Sequence, residues 1–222
     1  IDETNRRFFV SDHGKLKIFA YDLDSVLTTP EYQPSVKIDM KKKLFPDDYL
    51  YLNDTLCIAK IIEPIGNNDY KPSVARWNMA TGEINPMPYE YPDLKKVRFI
   101  YAASAEHQLY VQCYTQYDLM TICDFNGNLK CNIYGPKWVN EKTQTQHYSL
   151  GVEFCGDKIL ALYSGGDHRT DAYYPTKFLV FDLNGNYLKT LETGYMITDF
   201  CYDKENNRLI INLNDEIQFA YL

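Results

Sequence analysis

Between Gly165 and Tyr174 the sequence reads GGDHRTDAYY. Asp167, His168, Arg169, Asp171, Tyr173 and Tyr174 put carboxylates, an imidazole, a guanidinium and two phenols on one short loop. A guanidinium and carboxylates can hold a sugar or a carboxylate through paired, charge-assisted hydrogen bonds, with the phenols stacking alongside. His168 beside Asp167 or Asp171 also has the composition of a general acid–base pair. The competing reading is a solvated loop whose polar groups satisfy its own backbone.

Further candidates lie outside that loop. Trp138 sits among polar residues in GPKWVNEKTQTQH and could stack on a sugar ring or plug a gap between structural units. His147 closes the same stretch. Asn67, Asn68, Asp69 and Tyr70, in EPIGNNDYKPS, could line a binding mouth or simply supply turn chemistry. The ligand-binding set expected from sequence is therefore Asn68, Asp69, Tyr70, Trp138, His147, Asp167, His168, Arg169, Asp171, Tyr173 and Tyr174. His13, His147 and His168 have no metal-ligand spacing, so no metal site is expected. No cofactor is expected either, because neither a G-x-G-x-x-G nor a P-loop pattern occurs. Asp12-His13 has no nucleophile elbow to serve.

These residues need a scaffold, and the composition points to its class. Hydrophobic residues make up 45% of the 222, and 20 Tyr stand beside 11 Phe and 2 Trp. Aromatics suit pleated, half-buried surfaces, so the balance leans towards β structure. A net charge of −7 offers no basic field for phosphates, which argues against a nucleic-acid partner. Small molecules, glycans, peptides and proteins stay open as partners. No apolar run reaches the roughly 20 residues of a membrane-spanning helix. No secretory signal opens the sequence, so the chain is either cytosolic or stripped of a leader. The six cysteines form no Cys-x-x-Cys pair and read as free thiols within strands, with cross-strand disulfides as the alternative. Cys123 and Cys131 flank a turn, but a two-residue turn at Asn126-Gly127 would place Ile122 opposite Cys131 and send the two sulfurs to opposite sheet faces.

An internal repeat organises the chain. MTICDFNGNLKCN, from Met120, returns as FLVFDLNGNYLKT, from Phe178. Apolar strands led by Phe8, Leu56, Leu109, Ile159 and Leu209 recur at spacings of 48, 53, 50 and 50 residues. A second series, IFAYD, VARWN, MTICD, FLVFD and IQFAY, follows the first, and LDS, MATGE, FNGN and LNGN after its members read as tight hairpin turns. With one apolar stretch before and one after, each unit of about 50 residues holds four short strands, and no sustained helical period appears. Repeated four-stranded antiparallel units are the blades of a β-propeller. The expectation is an all-β single domain over residues 1–222, with blades starting near 1, 43, 97, 147 and 196. The first blade lacks its first strand and the last its fourth, which reads as the loss of an N-terminal portion of a parent protein, with a five-bladed ring closed some other way as the runner-up. Long connections fall on one face, between second and third strands and between successive blades, and that face is the expected binding surface.

FFVSDHGKLKIFAYDLDSVL resembles the blade hairpins of the TolB-like propellers of bacterial cell envelopes, and FLVFDLNGNYLKTLETG with DFCYDKENNRLIINLNDEIQFAYL is similar to their C-terminal blades. The resemblance implies six blades in the parent protein, of which about five are present here. It also implies an exported, often lipid-anchored protein of the periplasm or outer membrane. It implies no catalytic motif. The function expected is a non-enzymatic binding module for a glycan, peptide or partner protein. An enzyme acting on a saccharide or lactone is the alternative.

Overall fold

A computed structural model describes residues 1–40, 44–67, 69–94 and 97–222. The chain divides into two compact units, Ile1–Met87 and Pro88–Leu222.

The first unit holds two antiparallel sheets. One is β1 (Arg7–Asp12), β2 (Lys17–Asp22) and β3 (Ser35–Asp39), in that spatial order. The other is β4 (Pro46–Asn53), β5 (Leu56–Gly66), β6 (Asp69–Asn78) and β7 (Glu83–Pro86), again in sequence order. Ile18, Met40, Phe45, Cys57, Ala59, Trp77 and Met79 form its core. Two expectations are corrected here. LDS is not a hairpin turn but the start of a short helix, α1 (Leu23–Thr28). Asp22 ends β2 and turns its carboxylate onto the Ser25 N–H at 2.7 Å, and this N-cap satisfies a donor that a helix start otherwise leaves unpaired. Most of EPIGNNDYKPS is also strand rather than loop, because β5 and β6 stay paired out to Gly66 and Asp69.

The second unit carries three sheets. The first is β8 (Phe99–Ser104), β9 (Leu109–Tyr114), β10 (Leu119–Asp124) and β11 (Leu129–Tyr134). Next comes β12 (Thr145–Cys155), β13 (Lys158–Asp167), β14 (Lys177–Asp182) and β15 (Tyr187–Glu192), and last β16 (Ile197–Asp203), β17 (Arg208–Leu213) and β18 (Phe219–Tyr221). Successive side chains of a strand point to opposite faces. In β13, Ile159, Ala161 and Tyr163 accordingly join a cluster with Val111, Met120 and Ile122 of the preceding sheet. Leu160 and Leu162 join Phe200, Leu209 and Ile211 of the following one. The inner part of the middle sheet is thus buried on both faces, which is why Ile159–Tyr163 and Phe178–Phe181 read as unbroken apolar runs. Sheets stacked face to face in chain order are propeller blades. Among the described residues the fold is an all-β propeller with five blade sheets: three of four strands, and a first and last of three.

The repeated hairpin is one structure used twice, a tight turn as expected, though longer than two residues. Asp124 N–H donates to the Asn128 carbonyl at 3.0 Å and Gly127 N–H to the Asp124 carbonyl at 2.9 Å. The Asp124 carboxylate accepts the Asn126 and Asn128 N–H groups at 2.8 and 2.9 Å and the Asn128 side-chain amide at 2.8 Å. Asp182 does the same with Asn184 and Asn186, at 2.9, 2.8 and 2.8 Å. A carboxylate able to take three donors favours this longer turn, and glycine supplies its left-handed residue, with φ 81° at Gly127 and 86° at Gly185. The resulting bulge sets Ile122 opposite Cys131 but Cys123 opposite Leu129. All six cysteines are free, and the Cys131 thiol meets the Asn184 carbonyl at 3.4 Å. A Cβ on Gly185 would lie 2.7 Å from Cys131 Sγ. Gly185→Ala should therefore cost about 1–3 kcal/mol, from the left-handed backbone and the overpacking together, read as a lowered melting temperature.

Candidate functional site

In the second unit the long connections gather on one face, and backbone hydrogen bonds show how. His147 N–H donates to the Thr115 carbonyl at 2.8 Å, Gly135 N–H to that of Asp118 at 2.8 Å, and His168 N–H to that of Gln144 at 3.2 Å. The β9–β10 turn, the β11–β12 connection and the β13–β14 loop are thereby tied together.

Most of the ionisable groups in GGDHRTDAYY hold that loop in shape. β13 continues through Asp167, and a single 3₁₀ turn covers Asp171–Tyr173. Asp167 Oδ1 accepts the Arg169 N–H at 2.9 Å, and the Asp167 carbonyl accepts the Thr170 hydroxyl at 3.2 Å. His168 Nδ1 lies 2.9 Å from the Gln144 carbonyl and 3.6 Å from Asp167 Oδ1. The rings of Tyr173 and Tyr174 pack with centroids 4.1 Å apart, and the Tyr174 hydroxyl raises the pKa of Tyr173. Arg169 and Asp171 are exposed.

Trp138 anchors an aromatic group. Its ring centroid lies 5.1 Å from Tyr134, 5.7 Å from Tyr91 and 6.3 Å from Tyr117. Tyr117 is buried, Tyr134 is 50% exposed, and Trp138 is half-buried between them. The hydroxyls of Tyr91 and Tyr134 meet at 3.3 Å, and that contact pushes Tyr91 to about 12. The group therefore has a packed inner side and an outer side carrying two phenols.

His147 lies in strand β12 rather than in a loop, and it is buried, with 1% of its surface exposed. Its Nδ1 is 3.3 Å from the Tyr163 hydroxyl and 3.7 Å from Asp118 Oδ1. Burial lowers the His147 pKa, the Asp118 carboxylate opposes that shift, and Lys137 adds to it. Burial also raises the Tyr163 phenol, with Asp118 as a further cause. Asp118 itself escaped the sequence reading. It is 1% exposed, and its Oδ2 accepts the Lys137 N–H at 2.9 Å. Its Oδ1, like His147 Nε2, has no hydrogen-bond partner among the described residues. The signal in QYDLMT was an acidic residue set directly against an apolar strand.

Asp69 and Tyr70 belong to the first unit, at the start of β6, where Asp69 Oδ1 accepts the Tyr70 N–H at 3.1 Å and Tyr70 is 55% exposed. Asn68 lies outside the described residues. His13, in the β1–β2 turn, packs edge-on against Phe45 at 4.9 Å. Among the described residues no three His, Cys, Asp or Glu side chains group as metal ligands. No described helix is long and apolar enough to cross a membrane.

No protein-family model matches this sequence, and no curated protein matches it significantly. Solved structures do. A member of the DUF4221 family from Bacteroides vulgatus superposes with a TM-score of 0.62 at 12% identity, over 98% of this chain and 76% of that one. The extracellular domain of BT4673 from B. thetaiotaomicron gives 0.61 at 10% identity, over 98% of this chain. XC5397, a gluconolactonase from Xanthomonas campestris, gives 0.55 at 17% identity, over 93% of this chain. The chain spans 26% of the length of the BT4673 chain and 65% of that of XC5397. At these identities the likeness is one of fold.

Proposed function

We propose that this chain is a non-enzymatic binding module of the bacterial cell envelope, periplasmic or anchored at the outer membrane. In this reading it comes from a TolB-like propeller of six blades. It presents the long-loop face of its second unit to a glycan, peptide or partner protein. The observation that carries the reading is how that face divides its side chains. Asp167 and His168 are engaged in holding the loops, while Trp138, Tyr91 and Tyr134 offer a partly exposed aromatic surface. Aromatic rings with hydroxyl edges suit ligands that are apolar on one side and hydrogen-bonding on the other. A further support for export is that one protein of this fold is an extracellular domain.

The two tryptophans make a direct test. Trp77 is 0% exposed, whereas Trp138 is half-buried. Intrinsic fluorescence should therefore change through Trp138 when cell-wall muropeptides, β-linked glucan oligosaccharides or proline-rich peptides are titrated in. Trp138→Phe should lose the response and bind about tenfold more weakly, the loss of roughly 1.4 kcal/mol. Equal affinity in wild type and Trp138→Phe for whichever probe binds would remove the site from this face. The second reading, an enzyme acting on a saccharide or lactone, is favoured by the adjacent His147 and Asp118. Glucono-lactone hydrolysis lost in His147→Gln would replace the binding reading.

A further inference from the structure

A buried polar cluster anchors the β11–β12 connection, to which the β13–β14 loop is in turn tied. Asp118 holds the β11–β12 connection twice, through its carbonyl to Gly135 N–H at 2.8 Å and through Oδ2 to Lys137 N–H at 2.9 Å. Trp138 follows directly on this anchor. His147 holds the start of β12 to the Thr115 carbonyl, and three residues earlier the Gln144 carbonyl receives the β13–β14 loop through His168. Asp118 and His147 face each other across 3.7 Å with Tyr163 beside them, all three buried.

We propose that Asp118, His147 and Tyr163 form a pH-sensitive latch that keeps the 135–144 and 168–176 loops closed when His147 is neutral and releases them when it is protonated. A neutral imidazole can direct an Nδ1–H at Tyr163 or Asp118 and leave Nε2 bare. An imidazolium must also carry a proton on Nε2, which is buried and has no acceptor among the described residues. A buried charged donor without a partner is costly, so protonation favours a state in which the ring reaches water. The groups facing the ring are Asp118 from the β9–β10 turn, Tyr163 from β13 and Lys137 from the β11–β12 connection. Only Asp118 favours the cation, and its pull is outweighed by burial with the help of Lys137. The sign follows. The closed state binds the proton less well than the open one, whose imidazole has the ordinary value of 6.5. Closure is fully favoured above that pH and is lost as pH falls from it towards the lower, closed-state value. As regulation of the binding face this rests on the function proposed above, in which acid would weaken the hold on a ligand.

Hydrogen exchange of the Gly135, Lys137 and Trp138 amides tests the latch without any ligand. Protection factors, corrected for intrinsic exchange, are compared from about pH 8 to about pH 5. Wild type should lose up to about tenfold protection per pH unit below the ordinary imidazole value, the limit for one linked proton. Core amides such as those of Leu160 and Ile211 should keep theirs. His147→Gln, which cannot take up the proton, should give a flat profile. Asp118→Asn removes the pull towards the cation and lowers the closed-state value, so its loss should begin at the same pH as in wild type but continue to lower pH and end deeper, which keeps the test open if His147→Gln fails to fold. A wild type without the loss, the same loss in His147→Gln, or a loss in Asp118→Asn that levels off where the wild type's does would overturn the proposal. Failure to find any ligand bears on the binding reading alone.

Discussion

Trp77→Ala should remove about 3–5 kcal/mol of stability, read as a lower urea midpoint for the first unit. Trp77 is 0% exposed, packs with Cys57, Ala59 and Met79, and meets the Tyr49 ring edge-on at 5.1 Å. Truncation to alanine deletes the largest side chain of that core and leaves a cavity that strands fixed by their hydrogen bonds cannot close. The informative companion is Trp77→Phe. The indole Nε1–H is buried with no partner among the described residues. An unpaired buried donor costs about 1–3 kcal/mol, so replacing it with an apolar ring recovers part of what the lost volume costs. Phenylalanine should therefore cost about 1 kcal/mol, well below half the alanine loss. Equal losses for the two would show that the indole nitrogen is satisfied.

Gly135→Ala should be almost as damaging, and for a different reason. A Cβ at this position would fall onto the carboxyl group of Asp118. That carboxylate cannot move aside, because its Oδ2 holds the Lys137 N–H and its surroundings are buried. Overpacking combined with a broken buried hydrogen bond should cost about 2–4 kcal/mol. Asp118→Ala should cost about 2–3 kcal/mol, since the Lys137 N–H loses its acceptor. The double variant discriminates. With the carboxylate gone the new methyl has room, so the paired loss should fall short of the sum by at least about 1 kcal/mol. Strict additivity would mean that Gly135 is needed for some reason other than its approach to Asp118. Both unfolding curves should be followed by two probes, since a chain of two compact units need not unfold in one step.

The scaffold was largely legible because its determinants are local. Apolar runs of strand length recur every 50 residues or so, and Asp-x-Asn-Gly-Asn marks the hairpins of two successive blades. Asn-Gly announced a tight turn but not its length, because the deciding group, the Asp carboxylate, reaches across four residues of backbone at once. The helix after Asp22 was missed since six residues, under two turns, are too short a pattern to show a period. EPIGNNDYKPS read as a loop because its prolines and asparagines suggest turns, yet strand pairing carries β5 through Pro64 and β6 through Pro72.

The candidate site divides along the same line. Trp138 and His168 announce themselves by residue type, and sequence alone set them on connections between strands; it set Asp167 there too, whereas strand β13 runs through it. It also determined the strand content, the repeat length and the alternation that buries each inner strand on both faces, because these depend on neighbours two to fifty residues away in a repeating pattern. Only the tertiary structure decided that His147 is buried against Asp118, that Trp138 leans on three tyrosines, and that Asp167 and His168 hold their own loop. Each of these depends on which side chains from different sheets meet, and on how much water is left between them. Spacing along a chain does not encode that.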